Sequence, residues 1–386
     1  MERTRARSIA PGVALVVALL AGCAAAPAPA PTPTPSIPSP SASADPTPLE
    51  GPVAPTGAAT VLAQGLNAPW SVVRLDEETM PGGSALISER DTAKVRELTA
   101  GGELRDAGTV PGVSPGGEGG LLGLATLREA DTAWLYAYLT AASDNRIVRM
   151  PLLGSAGSLE LGAAEVVLAG IPKAGNHNGG RIAFGPDGML YATAGDAGRP
   201  NLARDPSSLG GKILRMTPEG GTPPDAPWGS VVHSIGHRNP QGIAWGDDGT
   251  MYASEFGQNT WDELNIIVAG QDYGWPVVEG IANAEGFVNP IHHWSTDEAS
   301  PSGLAHTHDT LFMAALRGET LWSIVVGLES VDAAPYFAGE YGRLRDAIAG
   351  PDGTLWVLTN NTDGRGSPRE GDDKLLQIQL AGQQPG

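Results

Sequence analysis

The chain of 386 residues is poor in cysteine and in positive charge. Its one cysteine is Cys23, so the chain forms no intrachain disulfide, and the remainder has neither a cysteine nucleophile nor a thiolate metal site. Asp and Glu total 43 against 24 Lys and Arg, which gives a formal net charge of −19. Because phosphate binding needs a basic surface, this balance argues against a nucleic-acid partner.

Long apolar runs are also missing. The apolar run from Ile9 to Leu20 is too short to predict a membrane span, and three arginines precede it, so residues 1–22 are predicted to be a signal peptide. Leu20-Ala21-Gly22-Cys23 resembles the lipobox of bacterial lipoproteins, in which the cysteine becomes the acylated first residue. We therefore expect an extracytoplasmic protein that is anchored to the cell membrane through a lipid on Cys23. The alternative is a plain signal peptide with an incidental cysteine.

Residues 23–57 consist almost entirely of Ala, Pro, Thr and Ser with Gly. This composition cannot build a core, so it predicts a disordered tether between the lipid anchor and a folded domain over residues 58–386.

The folded part repeats one pattern six times: a short apolar strand, a Gly- or Asp-rich turn, a second strand, a polar loop and a third strand. Tight hairpins need positive φ, which Gly, Asn and Asp tolerate. A β-sandwich would not repeat this pattern at intervals of roughly 40 to 60 residues, so the pattern predicts an all-β, six-bladed β-propeller. The predicted strands are 69–75, 84–90 and 94–98; 119–126, 134–140 and 146–152; 181–184, 189–194 and 212–216; 241–245, 251–255 and 263–268; 302–305, 310–316 and 320–326; and 345–349, 354–359 and 374–380.

In a propeller the first strand of each blade lines the central channel, so the residues just before these strands meet at one mouth of the channel. The residues that this rule brings together are Trp70, Glu118, His177, Arg238, Asn239, Pro301, Ser302, Arg343 and Arg345.

His177 is the candidate general base of this predicted mouth, because imidazole titrates nearest neutrality. The alternative is a histidine that is hydrogen-bonded to loop backbone. Arg238, Arg317, Arg343 and Arg345 suggest an anionic ligand with several carboxylates or phosphates, and the alternative is surface arginines paired with Asp and Glu. The loop of residues 255–263 offers carbonyl and carboxylate oxygens of the kind calcium prefers, although a solvated acidic loop would look the same.

Several segments, in order, resemble the soluble pyrroloquinoline-quinone (PQQ)-dependent sugar dehydrogenases, the glucose/sorbosone or aldose sugar dehydrogenase family. They span Pro69 to Leu380, and the family fold is a six-bladed propeller. The matching segments are Gly117-Glu118-Gly119-Gly120-Leu121-Leu122-Gly123-Leu124, Asn176-His177-Asn178-Gly179-Gly180-Arg181, Gly236-His237-Arg238-Asn239-Pro240-Gln241-Gly242, Asp262-Glu263-Leu264-Asn265, Tyr273-Gly274-Trp275-Pro276, Pro301-Ser302-Gly303-Leu304 and Gly342-Arg343-Leu344-Arg345-Asp346.

The resemblance implies oxidation of the C1 hydroxyl of aldoses to lactones, with PQQ and calcium as cofactors and an external electron acceptor. It implies that His177 is the base, and that Arg238 and Asn239 act on the cofactor oxygen. Arg317, Arg343 and Arg345 would bind the cofactor carboxylates, with Glu118 facing cofactor and substrate. Backbone carbonyls of Gly257 and Gln258 would bind the calcium beside the cofactor, and Glu263 and Tyr273 a second, structural calcium.

The chain departs from the family pattern at two cofactor positions. Glu118 stands where the best-known members have Gln, and Arg317 stands where they have a lysine. Two other functions remain open from the residues: a non-catalytic propeller that binds a glycan or protein at the cell surface, and a calcium-dependent lactonase. A lactonase would need carboxylate and Asn ligands for its metal at a mouth that is instead rich in arginine.

Overall fold

The computed structural model describes residues 49–80 and 82–383. The predicted signal peptide, Cys23 and most of the predicted tether lie outside this range. The described chain forms six antiparallel sheets that pack in a ring around a central channel, mainly through contacts between neighbouring first strands. The predicted six-bladed β-propeller is therefore confirmed. Among the described residues, no helix is both long and apolar enough to cross a membrane.

Each blade has four main strands, one more than the sequence pattern predicted. The chain enters through β1 (Val53–Gln64), which forms the outer edge of blade 6. From the channel outward, blades 1 to 3 are β2 (Pro69–Leu75), β3 (Ser84–Glu89), β4 (Lys94–Thr99) and β5 (Leu104–Thr109); β6 (Leu121–Glu129), β7 (Thr132–Thr140), β8 (Asn145–Leu153) and β10 (Glu165–Ile171), with the short β9 (Glu160–Leu161) beside β8; and β11 (Ile182–Phe184), β12 (Leu190–Ala194), β13 (Lys212–Met216) and β14 (Val232–Ser234). Blades 4 to 6 are β15 (Pro240–Trp245), β16 (Met251–Glu255), β17 (Trp261–Ile267) and β18 (His292–Ser295); β19 (Pro301–Thr307), β20 (Thr310–Ala315), β21 (Thr320–Val326) and β22 (Val331–Tyr336); and β23 (Leu344–Ala349), β24 (Leu355–Thr359), β25 (Lys374–Gly382) and β1. Two 3-10 turns, Pro200–Leu202 and Pro351–Gly353, lie in connections.

The ring closes through strand β1, which pairs antiparallel with β25 from Val53 opposite Gly382 to Gln64 opposite Lys374. The N–H of Val53 also donates to Thr310 Oγ1 at 2.9 Å. Residues 53–57, which the sequence pattern placed in the tether, therefore belong to the sheet. The expected domain boundary at residue 58 falls inside this strand.

The predicted Asp-Gly turns connect first and second strands as expected. Between β11 and β12, Gly188 has φ +75° and Asp187 Oδ1 accepts the N–H of Met189 at 3.1 Å. The same arrangement recurs between β15 and β16, where Asp248 Oδ1 accepts the N–H of Thr250 at 2.9 Å. These turns fix the register of the inner hairpins, and with it the residues that face the channel.

Buried aliphatic and aromatic side chains fill the spaces between neighbouring blades, as between blades 2 and 3. Trp70 is almost fully buried at the start of β2, and the Arg181 guanidinium lies 4.4 Å from the centre of its ring. Arg181 in turn donates to Asp346 Oδ2 at 2.8 Å. This buried group spans blades 1, 3 and 6 and forms the floor on which the candidate site is built.

Candidate active site

A cavity of about 400 Å³ lies at the mouth of the channel where the first strands begin. Its lining comes from the starts of first strands and from the ends of second strands, which run antiparallel to them and so finish at the same mouth. Four of the residues predicted to converge here, and Arg317, line it together. The lining residues are Trp70, Arg90, Glu118, Gln241, Phe256, Ser300, Leu316, Arg317, Arg343, Arg345 and Arg365.

Arg343 and Arg345 face the same side of β23, as their alternation with Leu344 predicted. Their terminal nitrogens lie 3.2 and 3.9 Å from Asp363 Oδ2. Burial raises the pKa of Asp363, but the charges of both arginines outweigh burial and hold it below its usual range. One carboxylate thus faces two buried cations. The Nε atoms of both arginines have no hydrogen-bond partner among the residues that the structure describes, so the pair retains donors for an anion.

Two further arginines reach the rim of the cavity. Arg317 pairs with Asp297 at 2.5 Å, and Arg365 pairs with Glu118 Oε1 at 3.2 Å. The Arg317 side chain is 60 % exposed, so it is free to turn towards a ligand at little cost.

His177 lies beside the cavity and is held by two carboxylates. Its backbone N–H donates to Glu118 Oε2 at 2.8 Å, and its Nδ1 is 2.7 Å from Asp196 Oδ1. With Nδ1 engaged by Asp196, Nε2 is the ring nitrogen left to accept a proton. A Cβ at position 195 would collide with the His177 carbonyl, which explains the glycine next to Asp196.

Asp196 is fully buried and remains ionised. Burial raises its pKa, but hydrogen bonds from His177 and from Trp275 Nε1, the latter at 2.9 Å, hold the pKa below its usual range. The carboxylate therefore fixes the orientation of the His177 ring and stabilises a positive charge on it. This is the arrangement of a general base with an orienting partner.

Arg238 and Asn239 lie just before the first strand of blade 4, next to the loop that carries His177. The N–H groups of both residues donate to Glu255 Oε1. Arg238 Nη1 donates to the carbonyls of Phe256 at 3.2 Å and Gly257 at 2.5 Å, and its Nε has no partner among the described residues. Asn239 Oδ1 accepts the N–H of Gly179, so in this structure Asn239 supports the loop that carries His177.

His237 is buried behind this pair. It lies between Glu255 and Ser234, 2.8 Å from each, and stacks on Tyr273. These contacts are structural.

The four predicted metal ligands fall into two groups. Gly257 and Gln258 lie in the loop between β16 and β17, and the Gly257 carbonyl already faces a cation, the Arg238 guanidinium. Glu263 and Tyr273 line a small cavity behind this loop, with Glu255 and Glu279. Burial and the charge of Glu255 raise the pKa of Glu263 to about 7, so a bound cation would favour its ionised form. The Tyr273 hydroxyl donates to the Ile266 carbonyl, which leaves its ring, and not its hydroxyl, on the cavity.

Sequence reasoning missed Arg90, Asp196, Trp275, Arg365 and Glu279. Arg90 and Asp196 follow the ends of second strands, as does Arg317, which was predicted. Applying the rule for first strands also to the ends of second strands would have found both. Trp275, Glu279 and Arg365 lie on long connections, where strand periodicity carries no signal.

Comparison with known proteins gives a consistent result. The family model described as Glucose / Sorbosone dehydrogenase matches residues 66–373. The chain is 28 % identical to the aldose sugar dehydrogenase YliI of Escherichia coli over 343 residues, which cover 79 % of this chain and 90 % of that protein. Among solved structures, the PQQ-bound aldose sugar dehydrogenase of Streptomyces coelicolor superimposes with a TM-score of 0.79 and 50 % identity over 86 % of this chain and 99 % of that one. A putative glucose dehydrogenase from Thermus thermophilus gives a TM-score of 0.75 and 40 % identity over 83 % and 99 % of the two chains.

Proposed function

Because the chain belongs to the glucose/sorbosone dehydrogenase family, we propose that it oxidises the C1 hydroxyl of an aldose to a lactone with PQQ and calcium bound at the channel mouth. The observation that carries this proposal is a histidine base held by a buried carboxylate beside a cavity lined with guanidinium groups. The Streptomyces coelicolor relative, whose solved structure contains PQQ, supports the choice of cofactor.

The residues of the cavity fit a polyanionic cofactor. PQQ carries three carboxylates, and Arg317, Arg343 and Arg345 would bind them. The Nε atoms of Arg343 and Arg345, two of the lining residues, are donors that the described protein atoms leave unused. Glu118 opposes this excess of positive charge, and its pairing with Arg365 keeps its carboxylate at the rim.

When bound, PQQ supplies a quinone that accepts hydride and calcium supplies a Lewis acid that polarises it. His177 Nε2 takes the proton of the C1 hydroxyl while the C1–H bond electrons leave as hydride, so that C1 becomes the lactone carbonyl. Asp196 stabilises the imidazolium that forms. Arg238 would supply positive charge beside the cofactor oxygen, and Asn239 would help to position that oxygen.

Carbonyls of Gly257 and Gln258 would bind the calcium beside the cofactor. The contact of Arg238 with the Gly257 carbonyl supports this, because the carbonyl already faces a cation. Glu263, with the Tyr273 segment, is the proposed site of a second calcium, supported by a buried carboxyl whose pKa is raised to about 7 by burial and by Glu255.

We also propose that the enzyme is held at the cell membrane by a lipid on Cys23 and passes electrons to an external acceptor. The segment Leu20-Ala21-Gly22-Cys23 supports the anchor. Mass spectrometry of the mature N-terminus tests it, since acylated Cys23 should be the first residue.

The experiment that tests the function titrates the purified, metal-free protein with PQQ plus calcium and follows dye reduction over a panel of aldoses. We expect saturable, calcium-dependent reduction that His177→Ala abolishes. Absence of PQQ binding by absorbance and calorimetry would contradict the proposal and favour a propeller that binds a glycan or protein. Hydrolysis of a lactone with calcium alone would favour the lactonase.

A further inference from the structure

The loop between β16 and β17, residues 256–260, holds its peptide groups in one orientation. The N–H of Phe256 donates to the Asn239 carbonyl at 3.2 Å, and the N–H groups of residues 257–260 face carboxylates of the same blade. The carbonyls of Phe256 and Gly257 face the Arg238 guanidinium. The Gly257 N–H donates to Asp262 Oδ1 at 2.8 Å. The following N–H groups donate to a single atom, Oε1 of Glu279, at 2.7 Å from Gln258, 3.3 Å from Asn259, 3.2 Å from Thr260 and 3.1 Å from Trp261.

A peptide group is planar and trans, so its N–H and C=O point in opposite directions. The N–H of Gln258 belongs to the same peptide as the carbonyl of Gly257. Because Glu279 holds that N–H, the Gly257 carbonyl points away from Glu279, where it accepts from Arg238 Nη1. The same reasoning turns the Gln258 carbonyl away from Glu279, since the Asn259 N–H points towards it.

Close packing restricts the start of this loop at Gly257. A Cβ on residue 257 would collide with the Trp261 carbonyl and approach Glu279 Oε1 at 2.6 Å. The Trp261 ring stacks on His293 with ring centres 4.0 Å apart. On the other side of the carboxylate, the N–H of Gly280 is fixed by Glu263 Oε1 at 2.7 Å. Glu279 is thus held in place between the loop and the rest of blade 4.

We propose that Glu279 is the positioning residue of the calcium site. It accepts hydrogen bonds from the N–H groups of residues 258–261 and so turns the carbonyls of Gly257 and Gln258 towards the cation. This inference rests on the proposed function, because it assumes calcium at those carbonyls. Residues that orient metal ligands commonly change metal affinity by about 10- to 100-fold when they are removed.

The test compares Glu279→Ala and Glu279→Gln with the wild-type protein, with calcium binding measured by calorimetry in the absence of PQQ. We expect Glu279→Ala to weaken calcium binding by about 10- to 100-fold. Glu279→Gln should recover most of this loss, since its amide oxygen still accepts the same N–H groups. In hydrogen–deuterium exchange without calcium, the amides of residues 258–261 should exchange faster in Glu279→Ala than in Glu279→Gln.

Glu77→Ala is the matched control, because Glu77 also accepts a loop N–H, that of Gly82, but in an exposed turn of blade 1. It should bind calcium like the wild type. Wild-type affinity in Glu279→Ala, or equal losses in the Ala and Gln variants, would overturn this proposal and leave the proposed function intact. A wild-type protein that binds no calcium would instead overturn the calcium site and this inference with it.

Discussion

The six inner strands build two cavities, one at each end of the channel, and the two differ in how their charges are matched. The second cavity, of about 360 Å³, is lined mainly by aliphatic side chains of the same strands, including Val72, Leu124 and Ile243. Its buried cation, Arg181, faces its own carboxylate, Asp346. At the candidate site, by contrast, Arg343 and Arg345 share Asp363. The same scaffold thus supplies a neutralised end, where the buried cation has its own carboxylate, and a cationic end, where two buried cations share one carboxylate, and the cationic end is the one suited to a polyanion.

The largest effect should come from removing the base at the cationic end. His177→Ala should lower kcat by about 100- to 10,000-fold, the contribution of a positioned general base. The melting temperature should fall only modestly, because the buried Asp196 carboxylate keeps its hydrogen bonds from Trp275 Nε1 and the Gly198 N–H. His306→Ala, on blade 5, is the control and should retain turnover. Near-wild-type kcat in His177→Ala would remove the residue from its assigned role.

The neutralised end should respond in stability instead. Asp346→Ala leaves Arg181 buried without its partner and should reduce the free energy of unfolding by about 3 to 5 kcal/mol. Asp247→Ala, at a carboxylate whose side chain is 83 % exposed, should change it by less than about 0.5 kcal/mol. Urea denaturation measures both, and equal midpoints would show that the buried pair does not stabilise the fold.

Exchanging a guanidinium at each end tests which cavity binds the cofactor. Arg345→Gln should weaken PQQ binding by about 10- to 100-fold, since a hydrogen bond between charged groups contributes about 1.5 to 3 kcal/mol. Arg74→Gln, in the second cavity, should leave PQQ binding unchanged. Calorimetric titration of both variants decides the matter, and a loss confined to Arg74→Gln would place the cofactor at the opposite end.

The smallest effect concerns the shared carboxylate Asp363. Its folded-state pKa is lowered by Arg343 and Arg345, so its ionisation stabilises the fold above about pH 4 and the stabilisation is lost as pH falls through that lowered pKa. Asp363→Asn should therefore be less stable than wild type at pH 7, because Arg343 and Arg345 lose the charge that they share. The loss should be on the order of 1 kcal/mol, since the amide oxygen still accepts a hydrogen bond from them. The two unfolding curves should converge at acid pH; a gap that persists there would argue against this origin.

Much of the architecture follows from local sequence, because the inner strands are largely buried and three of them, β11, β15 and β23, end in Asp-Gly turns. The outermost strands were not predicted. β10 and β22 carry mostly exposed or half-buried residues, so they lack the apolar periodicity on which the prediction depends. β1 was also missed, since the first predicted strand begins at Pro69 and the first residues of β1 have the composition of the preceding tether.

The candidate site was predictable where one rule of propeller geometry applied. It placed Trp70, Glu118, Arg343 and Arg345 around one cavity, as the structure confirms. The roles assigned to His177, Arg238 and the metal ligands stay predictions. Asp196 and Glu279 were not predicted, because no periodic pattern encodes their contacts. Asp196 lies 19 residues from its partner His177, and Glu279 lies about 20 residues from the loop N–H groups that it accepts.

The pairing of β1 with β25 has a consequence for the order in which the protein can mature. The first and last strands of the described chain meet, so blade 6 cannot be completed until nearly the whole chain has been synthesised. Arg343 and Arg345 lie on blade 6, whereas Trp70 lies on blade 1 and Glu118 just before the first strand of blade 2. The cavity therefore does not exist in any shorter nascent chain. Cofactor uptake must therefore follow the pairing of β1 with β25, and a chain that binds PQQ at this cavity has already closed its ring of blades.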